Sequence, residues 1–194
     1  MRLRGLYAIT PDGADLIDKL RQALKGGISM LQYRRKKENS LSEAKDVLLL
    51  ARRYHVPLIV NDDVALALEI GAEGVHLGRG DGDLARARKD MKGKILGASC
   101  YNDPALAEAA VRAGADYVAF GSVFPSTTKP QAVRAPLGLF KKNYGVPMAA
   151  IGGITLENAE EAVSAGADMI AVISDLFDAP DIKARAMQYR KLFR

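Results

Sequence analysis

The sequence predicts a parallel (β/α)8 TIM barrel, and three observations point to it. Short apolar runs alternate with amphipathic stretches along the chain, as expected for βα units whose strands are buried on both faces. A helix-ending motif recurs as Lys25-Gly-Gly-Ile, Ile70-Gly-Ala-Glu, Ala113-Gly-Ala-Asp and Ala165-Gly-Ala-Asp, with first glycines at 26, 71, 114 and 166. Each interval covers two βα units, and four such double units close naturally into an eightfold barrel. An open doubly wound sheet has no need of that repeat. Finally, polar side chains collect where the strands end, which is the face that carries chemistry in such barrels.

Taken in order, Leu6–Ile9 is the first strand and Ala14–Lys25 its helix. Ile28–Tyr33 is the second strand, followed by Ser40–Tyr54, where Ser40 and Glu43 have capping-box spacing. Pro57–Val60 leads through Asn61-Asp62-Asp63 into the short helix Val64–Ile70. Gly74–Leu77, Ile95–Ser99 and Tyr117–Gly121 are three further strands, with helices Leu84–Met91 and Pro104–Ala113 between them. Val146–Ile151 is the seventh strand; Thr155, three residues before Asn158, is the expected N-cap of helix Leu156–Ser164. Met169–Ile173 is the eighth strand and Ile182–Leu192 the last helix. Strict alternation of strands and helices demands parallel strands with right-handed crossovers. Glycine in the recurring motif is expected to take the left-handed position that ends each helix.

With 194 residues, 48% of them hydrophobic and 26% charged, the chain reads as one domain over residues 1–194 with a sizeable core. No apolar run approaches a membrane span, and Met1-Arg-Leu-Arg-Gly-Leu lacks a signal-peptide core, so no membrane association is expected. The lone Cys100 excludes an internal disulfide and a multi-cysteine metal site, which suits a cytoplasmic protein. The net charge of +5 suits nucleic acid or polyanionic small molecules. Only Arg34-Arg-Lys-Lys37 is densely basic, and no aromatics interleave with it, so phosphorylated small molecules are the expected partners and nucleic acid is not. The sequence leaves the oligomeric state open, with a homo-oligomer as one option.

The strand ends are more polar than packing alone would request. Strand two ends Gln32-Tyr-Arg34-Arg-Lys36, which puts Gln32, Arg34 and Lys36 on one face and turns Arg35 and Lys37 away. Strand three ends Asn61-Asp62, strand four runs into Gly78-Arg-Gly-Asp81, strand five ends at Ser99, and strand six runs into Ser126-Thr-Thr128-Lys129. Gly152-Gly153 after strand seven and Ile173-Ser174 after strand eight form a candidate phosphate cradle, because glycine lets main-chain N–H groups approach an anion. Two carboxylates among cationic heads imply a hard, oxygen-liganded cation such as Mg2+.

These residues carry a family resemblance that covers nearly the whole chain. Gly5-Leu-Tyr-Ala-Ile-Thr10, Gln32-x-Arg34-x-Lys36, Asn61-Asp62, Gly74-Val-His-Leu-Gly78 with Asp81, Gly97-x-Ser99, Ser126-x-Thr128-Lys129, Ala150-Ile-Gly-Gly-Ile154 and Ala171-Val-Ile-Ser174 occur in order at barrel-like spacing. Together they resemble the thiamine-phosphate synthases, which join hydroxymethylpyrimidine diphosphate to a thiazole phosphate with Mg2+ and release diphosphate. The resemblance implies that Gln32, Arg34, Lys36, Asn61 and Lys129 hold the pyrimidine diphosphate and that Asp62 and Asp81 ligate Mg2+. It also implies that Ser99 faces the pyrimidine, that Ser126 and Thr128 meet the thiazole's polar groups, and that Gly153, Ile173 and Ser174 take its phosphate. Arg34, Ser99 and Lys129 would be the catalytic residues. The chain departs from the family at Asp63 where Arg is usual, at Arg79 where Gln is common and at Ser126 where Thr is common. The family's N-terminal helix is expected to be absent or very short.

No nucleophile sits beside a base in the sequence: Cys100 has no neighbouring His, His55 reads as a surface residue and His76 as a packed, hydrogen-bonded one. Ionisation with electrostatic support of the leaving diphosphate fits this inventory better than covalent catalysis. Two alternatives stand beside the synthase: a related thiazole tautomerase, and a barrel that binds thiamine precursors without catalysis. The joint presence of Arg34, Lys36, Asp62, Asp81 and Lys129 speaks against the tautomerase.

Overall fold

A computed structural model describes residues 3–13, 15–36, 39–125 and 133–193. Eight strands close in sequence order into a barrel: β1 Gly5–Ile9, β2 Met30–Tyr33, β3 Leu58–Asn61, β4 Gly74–Leu77, β5 Ile95–Tyr101, β6 Tyr117–Gly121, β7 Met148–Ile151 and β8 Met169–Val172. Every neighbouring pair is parallel, and β8 returns to β1 with Leu6 opposite Ile170 and Ala8 opposite Val172. The predicted TIM barrel is therefore the fold observed.

Two apolar layers hold it. Tyr7, Ile9, Met30, Ile59, Tyr117, Ala119, Ala149, Met169 and Ala171 point inward and fill the barrel. The alternate strand residues, such as Leu6, Leu31, Leu58, Val60, Val75, Val118 and Ile170, pack outward against the helices. Because successive strand side chains face opposite ways, both faces are apolar and the strands read as unbroken hydrophobic runs.

The helices are α1 Leu16–Gly26, α2 Leu41–Arg53, α3 Val64–Ile70, α4 Leu84–Asp90, α5 Pro104–Arg112, α6 Ala159–Ser164, α7 Ser174–Phe177 and α8 Ile182–Lys191. Their starts follow from aspartate and serine chemistry. The side chains of Asp63, Asp83, Asp103 and Asp181 accept backbone N–H groups of α3, α4, α5 and α8, and Ser40 accepts from Glu43 on α2. Asp63 is thus a helix cap. No helix among the described residues is long and apolar enough to cross a membrane.

The structure corrects four expectations. Leu156–Ser164 is helical only from Ala159, and the expected cap runs the other way: Asn158 Oδ1 accepts from the Thr155 N–H at 2.9 Å, closing a turn before the helix. Glu43 does not complete a capping box, because its carboxylate is taken by Arg35 and by the Tyr33 hydroxyl, and the Tyr33 hydroxyl accepts the Ser40 N–H instead. In the first repeat the left-handed residue is Gly27, with φ 90°, whereas Gly26 stays helical and is needed for its smallness, since a Cβ there would collide with Ala186 and the Lys183 carbonyl of α8. Strict alternation of strands and α-helices also fails among the described residues: α7 and α8 both follow β8, and Leu137–Lys141 between β6 and β7 is a 3-10 helix. That helix starts at Pro136 and docks through Phe140, edge-on to Phe120 with ring centroids 5.6 Å apart. Gly71, Gly114 and Gly166 take positive φ as expected.

Candidate active site

The C-terminal ends of the strands carry those residues singled out from sequence that lie among the described residues, with the carboxylates Asp62 and Asp81 after the neighbouring strands β3 and β4. Asp62 follows β3 with φ 61°, a left-handed conformation that Asp tolerates better than most residues. Its N–H donates to the His76 carbonyl of β4 at 2.8 Å, and one of its carboxylate oxygens accepts from the Asn61 side-chain amide. Asp81 caps the turn after β4: its Oδ2 accepts the Gly78 N–H at 2.9 Å. Burial in the mouth and the hydrogen-bonded Asp81 carboxyl push Asp62 up to about 6. Two carboxylates held this close repel each other when both are ionised, and a bound divalent cation would relieve that repulsion. Two carboxylates are a partial ligand set for Mg2+, which keeps several waters and takes substrate phosphate oxygens for the rest. The pair fits such an ion.

Beyond β2, Thr10 fixes the backbone of Arg34 from both sides, accepting its N–H at 2.9 Å and donating to its carbonyl at 2.7 Å. Arg34 is half-buried, and among the described residues no carboxylate pairs with it. Arg35 turns the opposite way, as period two predicts. Its guanidinium forks onto both oxygens of Glu43 and donates to the Pro11 carbonyl at 2.7 Å, and it holds the Glu43 carboxyl below its usual range. Lys36 is exposed and lies 3.2 Å from Asp12 in the β1–α1 loop. Ser126, Thr128 and Lys129 lie outside the described residues, as does Lys37.

Opposite this half, the turns after β7 and β8 carry Gly153, Ile173 and Ser174. Asn158 also donates to the Gly153 carbonyl at 2.9 Å, which holds the turn. Ser174 opens α7, and Asp175 beside it is anchored by Arg185 at 2.6 Å and by the Tyr189 hydroxyl at 2.5 Å, both from α8. The φ values of Gly152 and Gly153 are 95° and 66°. A Cβ on Gly152 would strike Ser122, and one on Gly153 would strike the Phe124 and Pro125 carbonyls. Both glycines therefore admit the loop after β6 as well as shaping their own turn. Gly153→Val should accordingly lower the melting temperature, which a thermal melt reads.

Several residues at the mouth were missed in the sequence. Tyr101, with φ 54° at a register shift in β5, accepts the Arg79 N–H on its hydroxyl at 2.9 Å and lies under the Arg79 guanidinium at 5.2 Å. It thereby pins the Gly78–Asp81 turn. Below the mouth, Tyr7, Gln32, His76, Ser99 and Tyr117 are joined by hydrogen bonds. The alternation of β1 and β6 puts Tyr7 and Tyr117 inside, but nothing in the sequence marks them as partners. His76 is packed and hydrogen-bonded as expected, and burial lowers its pKa to about 4. His55 is exposed, also as expected. Cys100 is buried, which pushes its thiol up to about 12, so it supplies no thiolate at neutral pH.

A closed parallel barrel with paired carboxylates, a guanidinium unpaired among the described residues and glycine turns at one mouth defines an enzyme-type barrel suited to anionic small molecules. The family described as "Thiamine monophosphate synthase" matches residues 6–176. The chain is 54% identical to the thiamine-phosphate synthase of Aromatoleum aromaticum over 202 aligned positions, covering 99% of this chain and 97% of that one. It is 52% identical to that of Methylobacillus flagellatus, over 98% and 96% of the two chains. The solved thiamine phosphate pyrophosphorylase from Pyrococcus furiosus superposes with a TM-score of 0.87 at 33% identity, covering 99% of this chain and 96% of that one. This chain belongs to the thiamine monophosphate synthase family.

Proposed function

We infer that the protein is a thiamine-phosphate synthase, a transferase that joins the hydroxymethylpyrimidine of a diphosphate ester to a thiazole phosphate. The observation that carries this reading is the Asp62–Asp81 pair at the ends of β3 and β4, next to the β2 end that carries Arg34, with the glycine turn at Gly153 and the start of α7 at Ser174 across the barrel. A tautomerase needs no paired carboxylates and guanidinium beside its phosphate, and turnover separates the synthase from a barrel that only binds. Arg34 binds the diphosphate together with Lys36, Asn61 and Lys129, and Gln32 and Ser99 face the pyrimidine. Gly153, Ile173 and Ser174 take the thiazole phosphate, with Ser126 and Thr128 near the thiazole. Asp62 and Asp81 would hold Mg2+, which supplies charge neutralisation to the diphosphate oxygens when bound.

Chemistry in this site is departure and capture. The bond between the exocyclic carbon and the diphosphate oxygen breaks with its electron pair going to diphosphate, and the electron-rich aminopyrimidine carries the resulting cation. The thiazole ring nitrogen then supplies the pair for the new C–N bond. Arg34 and Lys129 stabilise the charge growing on the leaving group, and the two half-sites hold the reacting atoms in line. No base is required, in keeping with a buried Cys100 and a neutral, buried His76. A reducing cytoplasm suits the one free thiol. An assay of diphosphate release with both substrates tests the reading. A synthase releases diphosphate only when both are present, a tautomerase acts on the thiazole alone, and a binding barrel releases nothing.

A further inference from the structure

The barrel interior contains one continuous chain of hydrogen bonds that runs across five strands. Gln32 Nε2 donates to the Tyr7 hydroxyl at 2.6 Å, the Tyr7 and Tyr117 hydroxyls are 2.8 Å apart, Tyr117 lies 2.9 Å from His76 Nδ1, and His76 Nε2 lies 2.8 Å from Ser99 Oγ. The rings that form it are tightly held. Tyr7 and Tyr117 meet edge-on at 5.9 Å, and Tyr117 stacks on His76 at 5.5 Å. Gly97 of β5 makes room for Tyr117, since a Cβ there would collide with the phenol ring. Tyr7 and Tyr117 are at most 2% exposed and His76 is 7% exposed, so each polar atom must find its partner within the chain.

We propose that Tyr7, Tyr117 and His76 are positioning residues that set the polarity of Ser99, so that its hydroxyl hydrogen points out of the network and is offered to the ligand as a donor. The direction follows from counting donors. Tyr7 accepts from Gln32, so its own hydrogen goes to Tyr117, the other partner of its oxygen. Tyr117 therefore donates onward, and the acceptor it meets is His76 Nδ1. A ring that accepts at Nδ1 carries its hydrogen at Nε2, where it donates to Ser99 Oγ. Ser99 thus has a lone pair occupied from below and its hydrogen free above. A doubly protonated ring would break the order, because Nδ1–H and the Tyr117 hydrogen would face each other. At the other end, Gln32 spends its amide N–H on Tyr7 and keeps its carbonyl oxygen as the acceptor. The two ends therefore present one acceptor and one donor, complementary to an amino group beside a ring nitrogen. Ser99→Ala in this view deletes the donor, and a change at Tyr117 reverses it.

The part of this proposal that concerns the ligand rests on the synthase reading, and two measurements separate the two. Nitrogen-15 NMR of the imidazole in the ligand-free protein should report a neutral ring with hydrogen at Nε2 and a bare Nδ1. Hydrogen at Nδ1 would mean that the chain runs the other way, and the proposal would fall whatever the enzyme does. Calorimetry with the aminopyrimidine diphosphate then completes a double-mutant cycle. Tyr117→Phe should weaken binding about tenfold in the Ser99 protein and no more than about twofold in a Ser99→Ala background, because there is then no hydroxyl to turn. Equal weakening in both backgrounds would assign Tyr117 a packing role and overturn the proposal. Should Tyr117→Phe melt early, Tyr7→Phe breaks the same chain one link further from Ser99 and takes its place in the cycle. If the tautomer is as stated but the aminopyrimidine diphosphate does not bind at all, the synthase reading falls and the polarity stands.

Discussion

Asp62→Asn should lower turnover by about 10³-fold while raising the thermal stability of the metal-free protein. On the proposed synthase reading, the loss reflects the several kcal/mol that a neutralising cation would contribute when charge collects on a leaving diphosphate. The gain follows from linkage. Burial and the neighbouring Asp81 raise the Asp62 carboxyl to about 6, above its ordinary value near 3.8. The folded state therefore holds the proton more tightly than the unfolded chain, and stability falls as pH rises through that window. Above about pH 6 Asp62 carries its charge beside Asp81 and the repulsion is felt in full, so Asn, which carries no charge, relieves it. Added Mg2+ should stabilise the wild type and not the variant, and its binding to the wild type should weaken as pH drops below about 6. Thermal melts with EDTA and with Mg2+, together with a turnover assay, read all of this. Undiminished turnover in EDTA, or a variant that melts below the wild type without metal, would remove the cation from this pair.

Arg34→Ala and Arg35→Ala should part company despite being neighbours. Arg34 has its backbone clamped by Thr10 and its guanidinium unpaired among the described residues, so its loss should cut turnover by about 10²-fold with little change in melting temperature. Arg35 is spent on Glu43 and the Pro11 carbonyl, so its loss should destabilise the β2–α2 connection and leave the chemical step nearly intact. Lys36→Ala should fall between them, since that ammonium is exposed and already shared with Asp12. Turnover measured beside thermal melts distinguishes the phases of the run. Equal effects at 34 and 35 would make Arg34-Arg-Lys-Lys37 a solvated charge run.

The sequence alone determined the barrel and where its mouth lies. Apolar strands of period two, helices begun by Asp or Ser, and glycines that end helices are local signals, and local chemistry suffices to read them. The same holds for the phase of the basic run: a strand turns alternate residues to opposite faces, so Arg34 and Arg35 separate before any tertiary contact is considered. Signals that depend on a distant partner were not legible. Glu43 has capping-box spacing, yet it serves Arg35 and Tyr33, because a guanidinium fork outcompetes a single backbone N–H. Gly26 looks like a helix end, yet its smallness is required by α8, far away in the chain. Gly153 reads as an open phosphate turn, yet the loop after β6 presses on it. The hydrogen-bonded chain from Gln32 to Ser99 is the extreme case. Its members come from β1, β2, β4, β5 and β6, and only closure of the barrel sets their hydroxyls and imidazole within bonding distance. Periodicity reports which face a residue occupies; which groups meet across a closed barrel depends on shear and register, which are properties of the assembled sheet.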